Sequence, residues 1–387
     1  MLSSRINFLN FKKKSKSKLI TEKIKKNFDQ LIAENSTILQ SLSKNYKDNF
    51  DTKLINKFKK FENFRIIGMG GSSLGAQAIY QFMNHKIKKN FNFLDNLQAN
   101  KTLSKKKNIN IIISKSGNTI ETIANTNVFV KKNDKNIFIT ENKKNYLMEL
   151  AQKLKADVVY HNNFIGGRYS VLSEVGMLPA ELMGMKSESF RKYNSLIKNK
   201  KFINQLVNNV ESTLFFIKEK KFNSVIINYD EKSENLFKWY QQLVAESLGK
   251  KGLGLLPVIS NMPKDNHSVM QLYLDGMENN FYTFFIVNDK KSQKLKNKNL
   301  LQSHKFLKNK KLFEIMSAQK KATEIVFKKK NIPFRSFEIK NRDQETLGEL
   351  FCFFILETIL LGMSLNLDPF NQPAVELIKK ETKKFLI

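Results

Sequence analysis

A short loop in the first half of the chain carries several side chains that could bind an anion. Residues 114–119 read Ser-Lys-Ser-Gly-Asn-Thr, so three hydroxyls, one ammonium and one glycine occupy six positions. The apolar run Ile109–Ile113 precedes the loop and a helical pattern follows it, and the N-terminus of a helix favours anions. Serine and threonine are also common as N-caps, which is the structural alternative. Because hydroxyls and a lysine are concentrated here, the loop favours a phosphate monoester.

A glycine-rich segment follows an earlier apolar run, Phe64–Ile67. Residues 68–75 read Gly-Met-Gly-Gly-Ser-Ser-Leu-Gly, and glycines at a strand-to-helix junction let backbone N–H groups approach an anion. The dinucleotide fingerprint is not matched, because Ser73 occupies the place of its third glycine. A Walker A loop is not matched either, because Ala76 and Gln77 stand where lysine and serine are needed. Alone, the segment is equally consistent with a ligand loop and with a tight packing turn.

Four single side chains have the chemistry for proton transfer or charge stabilisation. Arg168 follows two glycines, and its planar guanidinium suits an oxyanion. Glu246 lies on an apolar part of a predicted helix, where desolvation would make it a better base. His267 lies in a polar loop, and Lys379 lies on the last predicted helix. Each also has an ordinary structural explanation, such as a surface ion pair or a solvated helix end, so none identifies a function alone.

The length and charge of the chain narrow the class of protein. At 387 residues, two domains are expected. The formal net charge is +32, and only six of the 67 basic residues are arginines. A nucleic-acid binder would suit such a charge. However, the lysines are spread along the chain among many asparagines, without a clustered basic motif. We therefore interpret the charge as composition bias and predict no nucleic-acid partner.

Cysteine, histidine and hydropathy patterns predict no cofactor and no membrane partner. Cys352 is the only cysteine, so an intramolecular disulfide is impossible. The four histidines do not fall at metal-ligand spacing, which predicts no metal site. No signal peptide is recognised at the N-terminus. The most apolar stretch, Leu347–Leu365, is interrupted by two glutamates, so we interpret it as a buried helix rather than a membrane span. We expect a cytoplasmic protein.

Apolar runs alternate with helical patterns in two successive series. The first series covers residues 61–186, and the second covers residues 187–387, with a linking helix at its start and a helical arm at its end. Residues 1–60 are basic and helical in pattern, without an obvious strand. Strands that alternate with helices predict parallel sheets covered on both faces. We therefore predict two α/β domains in tandem after an N-terminal helical segment.

Six segments resemble, in chain order, the motifs of the glucose-6-phosphate isomerase family. Residues 166–173, Gly-Gly-Arg-Tyr-Ser-Val-Leu-Ser, followed by residues 175–179, resemble one family signature, and residues 370–379 resemble the other. The other four segments are residues 68–75, 114–119, 246–250 and 264–268. The resemblance implies two sugar-isomerase (SIS) domains in tandem, each a doubly wound parallel sheet in a three-layer αβα arrangement. It also implies interconversion of glucose 6-phosphate and fructose 6-phosphate, without metal or organic cofactor.

The resemblance implies a role for each matched residue. Glu246 would move the proton between C2 and C1, and Arg168 would stabilise the enediolate between these steps. His267 and Lys379 would open the sugar ring. The remaining matched residues would bind the substrate: Gly71, Ser72, Ser114, Lys115, Ser116, Thr119, Gly167 and Gln372. The chemistry agrees, because a 1,2 proton shift needs one base and one cation, and a cyclic sugar needs a separate acid.

The resemblance also implies a homodimer in which each active site takes His267 from the neighbouring subunit. Some positions depart from the family pattern. Ser116 and Asn118 stand where threonines are expected, Asn266 replaces a glutamine, and Glu174 stands where a small residue is common. Two alternatives stay open: an isomerase that also accepts mannose 6-phosphate, and a non-catalytic sugar-phosphate-binding protein on the same domains. The joint presence of the four proposed catalytic residues favours an enzyme.

Overall fold

A computed structural model describes residues 2–12, 17–97, 108–131, 133–289 and 291–387. Within these ranges, the strands are β1 (Ile6–Leu9), β2 (Asn63–Ile67), β3 (Asn90–Leu94), β4 (Ile109–Ile113), β5 (Lys135–Glu141), β6 (Asp157–His161), β7 (Asn223–Asn228), β8 (Leu256–Asn261), β9 (Asn280–Val287) and β10 (Phe334–Ile339).

The α-helices of the same ranges are α1 (Lys18–Glu34), α2 (Thr37–Ser41), α3 (Thr52–Phe58), α4 (Gly71–Met83), α5 (Ile120–Phe129), α6 (Tyr146–Lys153), α7 (Glu174–Leu182), α8 (Ser187–Phe190), α9 (Tyr193–Leu196), α10 (Lys200–Lys218), α11 (Glu234–Leu248), α12 (Met270–Asp275), α13 (Leu312–Lys329), α14 (Gln344–Ser364) and α15 (Ala374–Leu386). Two short 3-10 helices, Gly167–Leu172 and Lys264–His267, carry residues discussed below.

The first sheet is entirely parallel, in the order β3-β2-β4-β5-β6. Successive side chains of a strand point to opposite faces. Accordingly, Ile66 and Ile111 join a hydrophobic cluster with residues of α4 and α7, whereas Ile67 and Ile112 join a second cluster with residues of α5 and α6. Helices thus cover both faces. Because β2, β4 and β6 run in the same direction, the loops that follow them meet at one edge of the sheet, where ligands bind in open α/β sheets.

The second sheet has the order β1-β10-β9-β7-β8, in which β7 to β10 are parallel and β1 is antiparallel to β10. Ile226 and Phe285 face the cluster that contains residues of α10, α11 and α14. Ile227 and Phe284 face another cluster, which contains Phe327 of α13. The predicted α/β architecture with helices on both faces of parallel strands is therefore confirmed for both sheets.

The described part of residues 1–60 contains three helices, as predicted, but the prediction that this segment has no strand was wrong. Strand β1 pairs Ile6 with Ile339 and Leu9 with Ser336, so the start of the chain forms an edge of the second sheet. The reason is tertiary: Ile6 and Phe8 bury one face of the strand against β10 and α14, including Phe337 and Phe353. The first sheet likewise has an edge strand, β3, that the sequence analysis did not assign. The proposed boundaries at residues 61 and 187 stay a prediction.

One hydrophobic cluster connects the two sheets. It contains side chains of α4 and α7, from the part of the chain that holds the first sheet (the first unit). It also contains side chains of α11 and α14, from the part that holds the second sheet (the second unit). Helix α14 is long and apolar enough to span a membrane by length and composition, but 94% of its most apolar window is buried inside the protein. Its burial agrees with the interpretation of Leu347–Leu365 as a core helix. The loops at the carboxyl ends of the first sheet's strands therefore lie against helices of the second unit.

Candidate active site

Arg168 is the centre of a hydrogen-bonded group at the contact between the two units. It lies on the 3-10 helix that follows β6 and is only 2% exposed. Its Nε donates to Ser247 Oγ at 2.8 Å, and its Nη2 donates to the carbonyl oxygens of Pro369 (2.7 Å) and Asn371 (3.0 Å). These bonds fix the plane of the guanidinium. Its remaining terminal nitrogen, Nη1, faces two further candidates.

Glu246 and Gln372 both contact this Nη1. The nitrogen donates to Gln372 Oε1 at 2.6 Å and to Glu246 Oε2 at 3.2 Å. Glu246 lies in the last turn of α11, and its side chain is 32% exposed, so the carboxylate is held from behind and remains open to a ligand. A carboxylate and a guanidinium in direct contact, one able to take a proton and the other unable to release one, suit enediolate chemistry.

Gln242 is part of this group, although the sequence analysis did not single it out. Its Nε2 donates to Glu246 Oε1 at 2.9 Å from one helical turn earlier. Its own Oε1 is buried and has no hydrogen-bond partner among the described residues. A buried polar atom without a partner is costly, so Gln242 carries an unmet hydrogen-bond acceptor next to Glu246. The i, i+4 spacing of Gln242 and Glu246 on one predicted helix was the available signal.

The glycine-rich loop approaches this group closely because its glycines have no side chains. Gly70 has a φ of +51°, and a Cβ there would lie 2.7 Å from Gln242 Nε2. A Cβ on Gly71 would lie 2.2 Å from the backbone of Gly167. Ser72, half-buried in the first turn of α4, is carried to the same place. The sequence analysis predicted Gly71, Ser72 and Gly167 as substrate-binding residues, and the structure brings the segments that carry them into contact beside Arg168.

The predicted phosphate loop forms a compact turn between β4 and α5. Ser114 Oγ and Thr119 Oγ1 lie 2.8 Å apart, and Ser116 Oγ accepts the backbone N–H of Asn118. Gly117 has a φ of +66°, and a Cβ there would lie 1.9 Å from Asn145 Oδ1. Thr119 is the N-cap residue of α5, and its side chain makes no capping hydrogen bond. The hydroxyls are therefore gathered at a free helix N-terminus, as a phosphate site requires.

Lys115 already has partners on its own chain. Its Nζ donates to the carbonyl oxygen of Asn163 at 2.6 Å and lies 3.6 Å from Glu141 Oε1. Burial lowers the pKa of the Lys115 ammonium, and the nearby Glu141 carboxylate offsets only part of this decrease. The structure therefore connects the phosphate loop, through Lys115, to the segment between His161 and Arg168.

His267 is not close to Glu246 within the same chain. Helix α11 joins the parallel strands β7 and β8 and therefore runs antiparallel to them. Glu246, at the C-terminal end of α11, thus lies near the N-terminal end of β8. His267 follows the opposite end of β8, which has six residues and is therefore roughly 20 Å long. The side chain is exposed. Within the described residues, it makes no hydrogen bond with any of the other proposed catalytic residues.

Lys379 is not brought to Arg168 and Glu246 either. It lies on α15, where its side chain is 64% exposed and its Nζ pairs with Glu376 at 2.6 Å. No residue of α15 is buried. The structure thus assembles Arg168, Glu246, Gln372 and the two glycine segments, and leaves the two proposed ring-opening residues apart from them.

Comparison with known proteins decides the family. The family model described as phosphoglucose isomerase matches residues 20–386. The chain belongs to this family. Among curated relatives, the glucose-6-phosphate isomerase of Methanocaldococcus jannaschii is 31% identical, with 87% of this chain and 88% of that protein covered. The glucose-6-phosphate isomerase of Mycoplasmopsis pulmonis is 32% identical, with 90% and 89% covered.

Solved structures support the fold of the phosphoglucose isomerase family for this chain. A hypothetical protein from Thermus thermophilus has a TM-score of 0.82 at 24% identity and covers 95% of this chain and 94% of its own. A glucose-6-phosphate isomerase from Chlamydia trachomatis has a TM-score of 0.71 at 17% identity and covers 99% of this chain and 80% of its own. The predicted family resemblance is confirmed by the family match, and the predicted fold agrees with these structures.

Several residues that hold Arg168 were not named as site residues in the sequence analysis, although Tyr169 and Ser247 lie in the matched segments. Tyr169 Oη donates to the Pro369 carbonyl at 2.9 Å and lies 2.9 Å from Ser247 Oγ. Burial raises the pKa of the Tyr169 phenol, so it stays a donor. Ser247 was visible as a hydroxyl next to Glu246. The Pro369 and Asn371 contacts use backbone oxygens, which carry no residue-type signal.

Proposed function

We propose that this protein interconverts glucose 6-phosphate and fructose 6-phosphate as an aldose–ketose isomerase of glycolysis and gluconeogenesis. The contact of Glu246 with Arg168 at 3.2 Å, opposite the glycine-rich loop, is the observation that carries the proposal. The Glu246 carboxylate takes the proton from C2 and returns it to C1. The Arg168 guanidinium stabilises the negative charge that develops on the enediolate oxygens between the two steps.

The substrate phosphate binds to the loop between β4 and α5. Support comes from the gathered hydroxyls of Ser114, Ser116 and Thr119 and from Lys115 beside them. The phosphate binds at this loop and proton transfer takes place at Glu246, so the extended sugar phosphate runs from the loop to Glu246. Gln372, whose Oε1 accepts from Arg168 at 2.6 Å, would contact the sugar between the two ends.

The reaction needs no metal in this proposal. Within the ranges that the structure describes, no group of three or more His, Cys, Asp or Glu side chains is placed to hold a metal ion. We expect purified protein to convert fructose 6-phosphate at an unchanged rate in excess EDTA, measured by oxidation of the glucose 6-phosphate product with a coupled dehydrogenase. The dehydrogenase is checked with glucose 6-phosphate in the same buffer. Activity lost in EDTA and restored by a divalent ion would contradict the proposal.

We further propose a homodimer in which His267 opens the ring at the partner's active site. The exposed position of His267, about one strand length from Glu246 of its own chain, supports this arrangement. Helix α15 adds support, because Leu377, Ile378 and Phe385 are 65%, 69% and 89% exposed, and clustered exposed apolar side chains often mark interfaces. Lys379 on this helix is the second proposed ring-opening residue.

A cytoplasmic location agrees with Cys352, which is buried and free.

Ring opening and proton transfer can be separated at His267. We expect His267→Ala to slow turnover of the cyclic sugar while C2 proton exchange on the open-chain form continues at a rate near wild type. The reason is that the histidine acts only on the ring oxygen and the C1 hydroxyl. Solvent isotope exchange and steady-state turnover measure the two steps. His304→Ala, which changes another exposed histidine, serves as the control. Equal losses in both assays would assign His267 to isomerisation itself.

A further inference from the structure

Glu174 is a buried carboxylate just behind the Arg168 turn. It is the first residue of α7 and is 0% exposed. Its Oε2 accepts from Tyr46 Oη at 2.9 Å. Its Oε1 accepts from Asn49 Nδ2 at 3.2 Å and from the backbone N–H of Asn162 at 3.0 Å. Burial by itself raises the pKa of a carboxyl, but His161 and the hydrogen bonds to Glu174 together lower its pKa below the ordinary value. Glu174 is thus an ionised acceptor in the interior.

His161 completes this cluster from the end of β6. It is 3% exposed, and its Nδ1 lies 3.7 Å from Glu174 Oε1. Its Nε2 lies 3.0 Å from the carbonyl oxygen of Ile165. Because a carbonyl only accepts, Nε2 carries the proton and donates. Within the described residues, Nδ1 has no hydrogen-bond partner and faces the Glu174 carboxylate.

The two side chains hold a four-residue segment at both of its ends. Glu174 binds the N–H of Asn162, and His161 binds the carbonyl of Ile165. Between these two points, the carbonyl of Asn163 accepts the Lys115 ammonium at 2.6 Å. The segment is followed by Gly166, whose carbonyl accepts the N–H of Tyr169 at the start of the Arg168 turn. The position of Lys115 in the phosphate loop therefore depends on a backbone oxygen that Glu174 and His161 fix.

We propose that Glu174 and His161 are positioning residues that set the affinity of the phosphate loop by holding the Asn163 carbonyl against Lys115. The carbonyl accepts one N–H of the ammonium and orients the others, so that Lys115 is ordered before a phosphate arrives. Preorganisation of this kind strengthens binding because less freedom is lost on association. The proposal rests on the proposed function only in taking residues 114–119 as the phosphate loop.

Two matched pairs of variants test the proposal, with glucitol 6-phosphate as the probe because it has no carbonyl group to isomerise. Glu174→Leu and His161→Phe fill the space but remove the acceptor or the donor. Glu174→Gln and His161→Gln instead introduce an amide, which can still accept in place of Glu174 or donate in place of His161. Calorimetry should show the Kd weakened about tenfold in the first pair, the effect of one hydrogen bond to a charged group, and restored to within about twofold in the second. The KM for fructose 6-phosphate should follow the Kd, while kcat changes less than about twofold.

A double-mutant cycle separates positioning from a general loss of stability. In a Lys115→Met background, Glu174→Leu should leave the Kd unchanged within about twofold, because the group through which it acts is gone. Glu349→Leu is the matched control. Glu349 is another buried carboxylate, which lies on α14 and is bound by Ser3 and Arg5. This variant should lower the melting temperature without changing the Kd. Wild-type binding in Glu174→Leu and His161→Phe would overturn the proposal, and so would a loss that persists without Lys115. A protein that binds the probe but does not isomerise would refute the proposed function alone.

Discussion

Glu246→Gln should reduce kcat for fructose 6-phosphate by about 10²- to 10⁴-fold, the usual contribution of a general base. The amide has the shape of the carboxylate but cannot accept the C2 proton. The structure can accommodate the change. The new Oε1 can accept from Arg168, and the side-chain amide of Gln242 can rotate so that its unpartnered Oε1 accepts from the new amide nitrogen. Ligand binding should therefore persist.

The controls for this variant come from the same helix. Glu234 lies in the first turn of α11 and pairs with Lys238 at 2.8 Å, about 20 Å from Glu246 along the helix. Glu234→Gln should keep the wild-type rate. The affinity of Glu246→Gln for glucitol 6-phosphate should stay within about threefold of wild type, since the phosphate loop is untouched. A Glu246→Gln protein that kept most of its turnover would place the base elsewhere.

The sequence predicted the strands that belong to the interiors of the two sheets. Runs such as Ile109–Ile113 are buried on both faces and are therefore mostly apolar, with four isoleucines in five residues. Two of the four edge strands, β3 and β1, were missed for different reasons. Asn90–Leu94 does alternate polar and apolar residues, but it is short and follows a basic stretch. Ile6–Leu9 pairs with a strand more than 300 residues later, and no local pattern contains that information.

The candidate site was predictable where side chains carry the chemistry and meet within one chain. Arg168, Glu246 and Gln372 were named from motif positions, and Arg168 contacts both of the others. The carbonyl oxygens of Pro369 and Asn163 could not be foreseen, because any residue type supplies such an atom. Glu174 was visible only as a departure from the family pattern. Its role in holding Asn162 depends on a backbone N–H that folding brings to it.

Mixing two variants that each turn over the cyclic sugar slowly should restore activity if His267 acts across a dimer interface. A Glu246→Gln chain supplies a functional His267, and a His267→Ala chain supplies a functional Glu246. In a heterodimer, one of the two sites then has both groups and the other has neither. Because an isologous dimer has two equivalent sites, equal mixing with random exchange gives half heterodimers and about a quarter of the wild-type activity.

A second mixture provides the control for subunit exchange. Arg168 and Glu246 are in contact within one chain, so Glu246→Gln mixed with Arg168→Ala leaves every site with one defect. This mixture should stay inactive. Exchange is verified in both mixtures by isolating heterodimers through a tag on one chain only. If verified heterodimers of the first mixture are as inactive as those of the second, His267 serves its own chain or has no role in ring opening. Activity regained in the first mixture alone requires that each active site is built from two subunits. The positions of His267 and Glu246 near opposite ends of β8 in the single chain agree with this result.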